Sequence, residues 1–458
     1  MGIIMDKTRI SLWLLLFLAL QPFQAIGTTA TPDKKLTYTV RELIDNARKK
    51  NYDIRANAEK VYRARQRIRV AMGRLLPSLN FGTIMAGVQQ DYFDLIPSLL
   101  GFLFPSNWFR WKESKLYFQA ERRNYGVMIA NEINAVESLA YRIHSVMVLE
   151  QVYVTNLVKV KKVVEIAQKR AEAGEDTADM TLEFENIEIR MEHDLSVLRN
   201  EISKQLSELA NSIALDLGTD WNQFQIAPIR LPSLDHKDPL DADEIIDEIM
   251  KKSLERKAFA YLRMAAKYSK YNRAFQFLSP NGDVDGSFGF GYFAYVNIGR
   301  SNEREIEVKQ EELDSNILVA TRKAVADHNV ALDLYQQSTS GLKNAHDWYE
   351  VLVAKFEEGG QYEPMEYVKA LESLLAFNSR VYQSQHYYLI SKAQIDRLRW
   401  KRSYYRDLLK LAPTSKREDK REKKEGTRMS RWIKSLKRKS EDKDIKKDLK
   451  RHRISLPD

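Results

Sequence analysis

The chain has no cysteine among its 458 residues. That excludes a disulfide framework, thiol chemistry and lipid attachment at a mature first cysteine, and it makes an oxidising compartment harmless. Long hydrophobic runs are missing too. The best candidate, residues 10–20, falls short of the roughly 20 apolar residues a helix needs to cross a bilayer. If the mature chain crosses a membrane, it must do so as strands of a closed barrel, and helical transporters are excluded. Catalytic signatures are also lacking. His144, His193, His236, His328, His346, His386 and His452 show no ligand spacing, no glycine-rich phosphate loop follows a strand, and there is no nucleophile elbow. The sequence asks for no catalysis, no cofactor and no metal.

Residues 1–30 read as a secretory signal peptide. Lys7 and Arg9 form the positive region, residues 10–20 the apolar region, and Ala25-Ile26-Gly27 or Thr28-Thr29-Ala30 the small-residue cleavage site. The competing reading is a membrane anchor. The formal charge of +10 looks like a nucleic-acid signal until it is located: residues 413–458 hold 18 Lys/Arg against 9 Asp/Glu, so the body is near neutral and the excess belongs to a tail. No nucleic-acid partner is expected of a secreted chain. Within the tail, Trp432, Ile433, Leu436, Ile445 and Leu449 recur at helical intervals among lysines and arginines. This is the pattern of a basic amphipathic helix on an anionic lipid surface, with a merely solubilising tail as the alternative.

Residues 37–76 form a helix by pattern, stopped at Pro77. The stretch 78–109 changes character, with aromatics, glycines and only Asp91 and Asp94 charged, as two strands and their turn would. A long helix follows from Trp111 to about Arg170, Gly174 ends it, and residues 177–214 return. A proline-bearing linker, 218–240, separates this first repeat (31–217) from a second (241–412). Glu42-Leu43-Ile44-Asp45 is echoed by Glu244-Ile245-Ile246-Asp247, and Ala56, Ala64 and Leu76 by Ala258, Ala266 and Leu278. In the second β-segment, 279–300, Phe288, Phe290, Tyr292, Ala294, Val296 and Ile298 alternate with glycines and aromatics. That is one strand of barrel length, about 9 to 11 residues. Residues 303–358 form the second long helix, on which Ile306, Leu313, Ile317, Ala324, Ala331, Tyr335, Leu342, Tyr349 and Phe356 step by seven and four. This heptad seam predicts oligomerisation, because a lone protomer would expose long apolar stripes. Gly359-Gly360 ends the helix, and residues 365–411 return.

The order helix, β-segment, very long helix, glycine turn and return helix, repeated twice behind a signal peptide, resembles the outer-membrane efflux protein (TolC) family. The resemblance covers Tyr38 to about Leu411. Its local signatures are Asn51-Tyr52-Asp53-Ile54-Arg55 running to Leu75-Leu76-Pro77-Ser78-Leu79, and Phe356 to Gly360 followed by Met365 to Leu371. It implies a mainly α fold of long coiled-coil hairpins with short β-hairpins forming part of an oligomeric outer-membrane β-barrel. It also implies a homotrimer, a periplasmic adaptor, an inner-membrane pump, and residence in the outer membrane of a Gram-negative cell with a large periplasmic portion. The implied function is a passive exit duct of a tripartite efflux or type I secretion system; the alternative is a non-conducting periplasmic coiled-coil scaffold or tether.

Carried over by position, the adaptor-binding tip turns fall at Gly174, Glu175, Asp176 and Thr177 and at Gly359, Gly360 and Gln361. The acidic constriction falls at Asp179, Glu363 and Glu366, with Lys369 where a second acid is often found. The membrane strand carries Phe288, Phe290, Tyr292, Val296 and Ile298. Read without the resemblance, the glycines are helix caps and the acids solvated charges at helix ends. The halves differ in length: Pro77 to Gly174 is 97 positions, Pro280 to Gly359 only 79, and the loss is expected in the second hairpin.

Overall fold

The computed structural model describes residues 36–76, 101–173, 178–215, 224–278, 289, 291–357 and 364–401. Strand β1 (Leu36–Tyr38) is followed by helices α1 (Val40–Lys50), α2 (Tyr52–Gly73), α3 (Pro105–Glu172) and α4 (Ala178–Ser212). Strand β2 (Phe224–Ile226) then leads to α5 (Ala242–Lys252), α6 (Leu254–Ala274), α7 (Tyr292–Glu357) and α8 (Pro364–Leu398). The first four helices have 11, 22, 68 and 35 residues. The last four have 11, 21, 66 and 35. At 1.5 Å per residue, α3 and α7 each reach about 100 Å.

Local chemistry sets the helix starts. Thr39 and Glu42 form a capping box at α1, and Asp241 accepts from the Asp243 N–H at α5. Asn51 and Ser253 break each first helix from the second: each is in extended backbone, and each side chain accepts amide protons of the helix that follows. Pro105 opens α3, where a missing N–H costs nothing. The two strands pair in parallel, Leu36 beside Phe224 and Tyr38 beside Ile226, tying the start of the described chain to the linker.

The repeats bury equivalent surfaces. Leu43 and Ala47 of α1 pack on Val136, Ala140 and Ile143 of α3, on Leu209 of α4 and on Ile213 just past its end. Ile245 and Ile249 of α5 pack on Ile317, Ala324 and Val325 of α7 and Ile395 of α8. The expected heptad seam is therefore closed inside the chain. Ile317 and Ala324 face α5 and α8, while Ala331 and Tyr335 pack with Tyr388 of α8 and Leu234 of the linker. It does not by itself call for a second copy.

Two expectations about strands need correction. Helix α7 begins at Tyr292, so Tyr292, Val296 and Ile298 are helical; Phe288 and Phe290 lie outside the described residues. The alternation that reads as a strand also places Tyr292, Tyr295 and Gly299 on one helical face, at i, i+3 and i+7. The Tyr292 hydroxyl donates to the Ala274 carbonyl at 2.8 Å and that of Tyr295 to Gln276 Oε1 at 2.7 Å. Gly299 lets α7 approach α6, since a Cβ there would lie 3.1 Å from Lys270 Cα. The first hairpin is likewise shorter than 78–109. Residues 101–103 form a 3₁₀ turn, Trp108 and Phe109 lie on α3, and Phe109 stacks on Tyr268 and Phe275 of α6. The signal peptide, residues 77–100 and the basic tail lie outside the described residues.

Candidate channel wall

The helices lie side by side as a layer. In the upper part, where α2 ends and α3 begins, the order is α2, α3, α6, α7; in the lower part it is α4, α3, α8, α7. Helix α7 thus forms one edge throughout, and α2 and α4 form the other. The α6–α7 seam is ionic and antiparallel: Arg256 grips Asp314 with Nε at 2.8 Å from Oδ1, Arg263 pairs with Glu307 at 2.6 Å, and Lys270 pairs with Glu303. Each edge leaves an aliphatic stripe in water. On α7, Val308, Val319 and Val330 are exposed every 11 residues, three turns apart; on α4, Leu182, Ile189 and Val197 are exposed at intervals of seven and eight. Neither stripe stands out in the sequence beside the stronger heptad seam of α7.

At the lower end one core joins all four helices. Val160, Val164 and Ala167 of α3, Phe184 and Ile187 of α4, Leu352 of α7 and Tyr367 and Leu371 of α8 pack together. That core brings the ends of α3 and α7, and the starts of α4 and α8, to the same level. The chain between them, with Gly174, Glu175, Asp176 and Thr177 in one turn and Gly359, Gly360, Gln361 and Glu363 in the other, lies outside the described residues. Asp179 is on the first turn of α4. Glu366 is exposed on the first turn of α8, where the helix dipole favours an anion, and Lys369 is exposed one turn on. Just above, a groove of about 380 Å³ between α3, α4 and α8 is lined by Tyr153, Met191 and Leu375 and crossed by the Arg190–Glu372 ion pair.

At the upper end the halves part. The connector runs over 74–104 in the first repeat and 275–291 in the second, so the shortfall is in the connector rather than in the wall helices. Exposed Phe102, Leu103, Phe275, Phe277 and Phe293 crowd that end. No helix among the described residues is long and apolar enough to cross a membrane, and no group of three or more His, Cys, Asp or Glu among them could hold a metal ion.

No family model and no curated protein matches the sequence. Solved structures do match. The Campylobacter jejuni CmeC outer membrane channel superposes with a TM-score of 0.65 at 13% identity, over 82% of this chain and 89% of that one. The outer-membrane channel OprN gives 0.63 at 11% identity, over 79% and 89%. The outer membrane protein VceC of Vibrio cholerae gives 0.62 at 12% identity, over 79% and 95%. The chain has the fold of these outer-membrane channels. The likeness takes in most of each channel's length.

Proposed function

We propose that this chain is one subunit of a passive exit duct in a Gram-negative envelope, three copies closing into a tube across the periplasm. The observation that carries the reading is the pair of unlike edges, each with its own aliphatic stripe. Edges that differ join head to tail, and a head-to-tail contact closes into a ring if the rotation per subunit allows it. The tips at Gly174–Thr177 and Gly359–Gln361 would meet a periplasmic adaptor, with Asp179, Glu363 and Glu366 narrowing the passage and favouring cations. The pump in the inner membrane would supply substrate and energy. Light scattering of the purified protein in mild detergent tests the assembly: a trimer is expected, and a monomer from Val319→Asp with Val330→Asp. A monomeric wild type overturns the reading. Deleting the gene in a strain with its partner pump active should raise dye accumulation.

One observation favours the non-conducting scaffold instead. Each membrane-crossing strand needs about 9 to 11 residues, and with Tyr292 already helical the second connector lacks the length for an outward and a returning strand. Planar-bilayer recording separates the two: discrete openings support the duct, and membrane association without conductance supports the scaffold. The basic tail would hold either form to anionic lipid. The described chain ends at Lys401, beside Trp400, which packs on Ile44 and Ile54. A peptide of residues 426–458 should become helical on anionic vesicles and not on neutral ones.

A further inference from the structure

Midway along the wall, three separate parts of the chain meet at two imidazoles. His144 stands on α3 and His386 on α8, and the linker passes over them at Ile229. Both rings are buried, at 7% and 1% exposure. Nδ1 of His144 is 2.9 Å from Nε2 of His386. The outer nitrogen of each ring meets the backbone: the Ile229 N–H donates to His144 Nε2 at 3.0 Å, and His386 Nδ1 lies 2.6 Å from the Tyr382 carbonyl oxygen.

These contacts fix the protons. An amide N–H can only donate and a carbonyl can only accept. His144 Nε2 therefore accepts, and the single proton of that ring sits on Nδ1. That proton points at His386 Nε2, which accepts in turn, and the proton of the second ring, on Nδ1, goes to Tyr382. The line from Ile229 through both rings to Tyr382 is complete only when each imidazole is neutral. A second proton on either ring sets one N–H against another.

We propose that the His144–His386 pair is an acid-sensitive pin that fastens the linker and the second repeat to the first long helix, closed while both rings are neutral and opened when either is protonated. The surroundings offer an imidazolium no relief. On α3, Glu137 accepts from the Tyr141 hydroxyl; on the linker, Arg230 is exposed; on α8, Arg380 is exposed and Lys392 acts on His328; on α4, the Glu201 carboxylate accepts from Gln205. On α7, His328 faces Ser391 and packs, tilted, against Tyr388. No carboxylate is among the groups that shift either ring of the pair. Burial, and then the neighbouring ring, push His144 down to about 4. Burial lowers His386 as well, against the opposing effect of its bond to the Tyr382 carbonyl. With folded values below the unfolded value of about 6.5, the unfolded chain binds more protons. The stabilisation is complete above about pH 6.5 and is lost as pH falls towards about 4.

The test is ¹⁵N-histidine solid-state NMR on the full-length protein in lipid, joined to hydrogen exchange. At about pH 7.5 both rings should be neutral and carry the proton on Nδ1, the tautomer the hydrogen bonds require. The peptide containing Ile229 should be protected there. Near pH 4, after correction for intrinsic rates, it should lose about tenfold in protection before α3 and α8 do. In a His144→Gln, His386→Gln variant, which keeps a donor and an acceptor at each site but cannot take up the proton, that loss should vanish. Either ring found with its proton on Nε2, or titrating near 6.5, overturns the pin. So does equal acid loosening of the linker in wild type and variant. Should the variant fail to assemble, the wild-type tautomers and titration decide the matter alone.

Discussion

The two repeats reach the same backbone by different chemistry. In the first, the return helix is held at the break between the two short helices by a neutral side chain. Asn51, 5% exposed, accepts from the Asp53 and Ile54 amides through Oδ1, while Nδ2 donates to the Ser212 carbonyl at 2.8 Å. In the second, Ser253 keeps the cap and donates to Glu255 at 2.9 Å, and the grip on the return helix passes to an ion pair, Glu255 with Arg397 at 2.7 Å, 13% and 11% exposed. Arg397 also lies over the Trp400 ring, 5.4 Å from its centre. Nearby Lys257, 5% exposed, is pushed down to about 8 by burial and by Arg123. A duplicated fold thus needs a link at this point but not a particular kind of link. The ionic half carries more buried charge and depends more on each partner being present.

The largest expected effect follows from that dependence. Arg397→Ala leaves the Glu255 carboxylate in a nearly dry place with the Ser253 hydroxyl but no cation, and strips the cover from Trp400, so it should cost about 3–5 kcal/mol. Denaturant unfolding of the full chain measures it; a loss below about 1 kcal/mol would mean that water reaches Glu255 and that the link is not buried in effect. Asn51→Ala should cost about 2 kcal/mol, from a lost cap and an unpaired Ser212 carbonyl. The gap between the two variants should barely change with added salt if the ion pair is as sheltered as its exposure indicates, because screening acts mainly on exposed charges.

The long helices offer a second comparison. Each carries one glycine well inside it, Gly126 in α3 and Gly341 in α7. A Cβ at Gly126 would meet Leu254 Cδ1 at 3.6 Å, an ordinary contact, whereas one at Gly341 would lie 2.3 Å from the Phe377 ring. Gly341→Ala must displace Phe377 and should destabilise by about 1–2 kcal/mol after the gain in helix propensity. Gly126→Ala should stabilise by up to about 1 kcal/mol. Thermal midpoints that move the same way in both variants would show that α7 and α8 can slide apart to make room.

How far these features were legible in the sequence depends on how local their cause is. Pro77, Gly174 and the echo of Glu42–Asp45 in Glu244–Asp247 act over a few residues, so the long helices could be read; the single helix expected over 37–76 is instead two, broken at Asn51. The strand expected through Tyr292 to Ile298 could not be rejected. The stretch that alternates as a strand also holds Tyr292, Tyr295 and Gly299 at helical spacing, and what decides between the two is Gly299 against Lys270, a contact made in space. The tips carried over from the resemblance lie outside the described residues, and only Asp179 and Glu366 of that set can be placed. The His144–His386 contact spans 242 positions, and no spacing rule reaches so far. The α7 edge stripe was hidden for another reason: its 11-residue recurrence is sparser than the heptad seam that the chain buries on itself.

A third comparison concerns the ends of the return helices, where no glycine announces a cap. Both α4 and α8 stop with a residue of positive φ, Ala214 at 48° and Trp400 at 53°. The amides that follow bend back to the helix, Leu215 to the Ala210 carbonyl and Lys401 to that of Asp396. This is the left-handed cap that glycine adopts without cost and a side chain adopts at about 1 kcal/mol. At Ala214 the side chain is a single methyl, so Ala214→Gly should relieve the strain and raise stability by up to about 1 kcal/mol, less the extra freedom of glycine in the unfolded chain. At Trp400 the strain is held in place by packing, with the indole against Ile44, Ile54 and Ile129 and under Arg397. Trp400→Gly should therefore destabilise by about 3 kcal/mol, the loss of a large buried side chain outweighing the relieved backbone. Opposite signs at two caps of the same geometry would establish that the fold tolerates strain at Trp400 for the sake of the indole. A destabilising Ala214→Gly would mean that the first cap is already relaxed and that the geometry alone is not the cost.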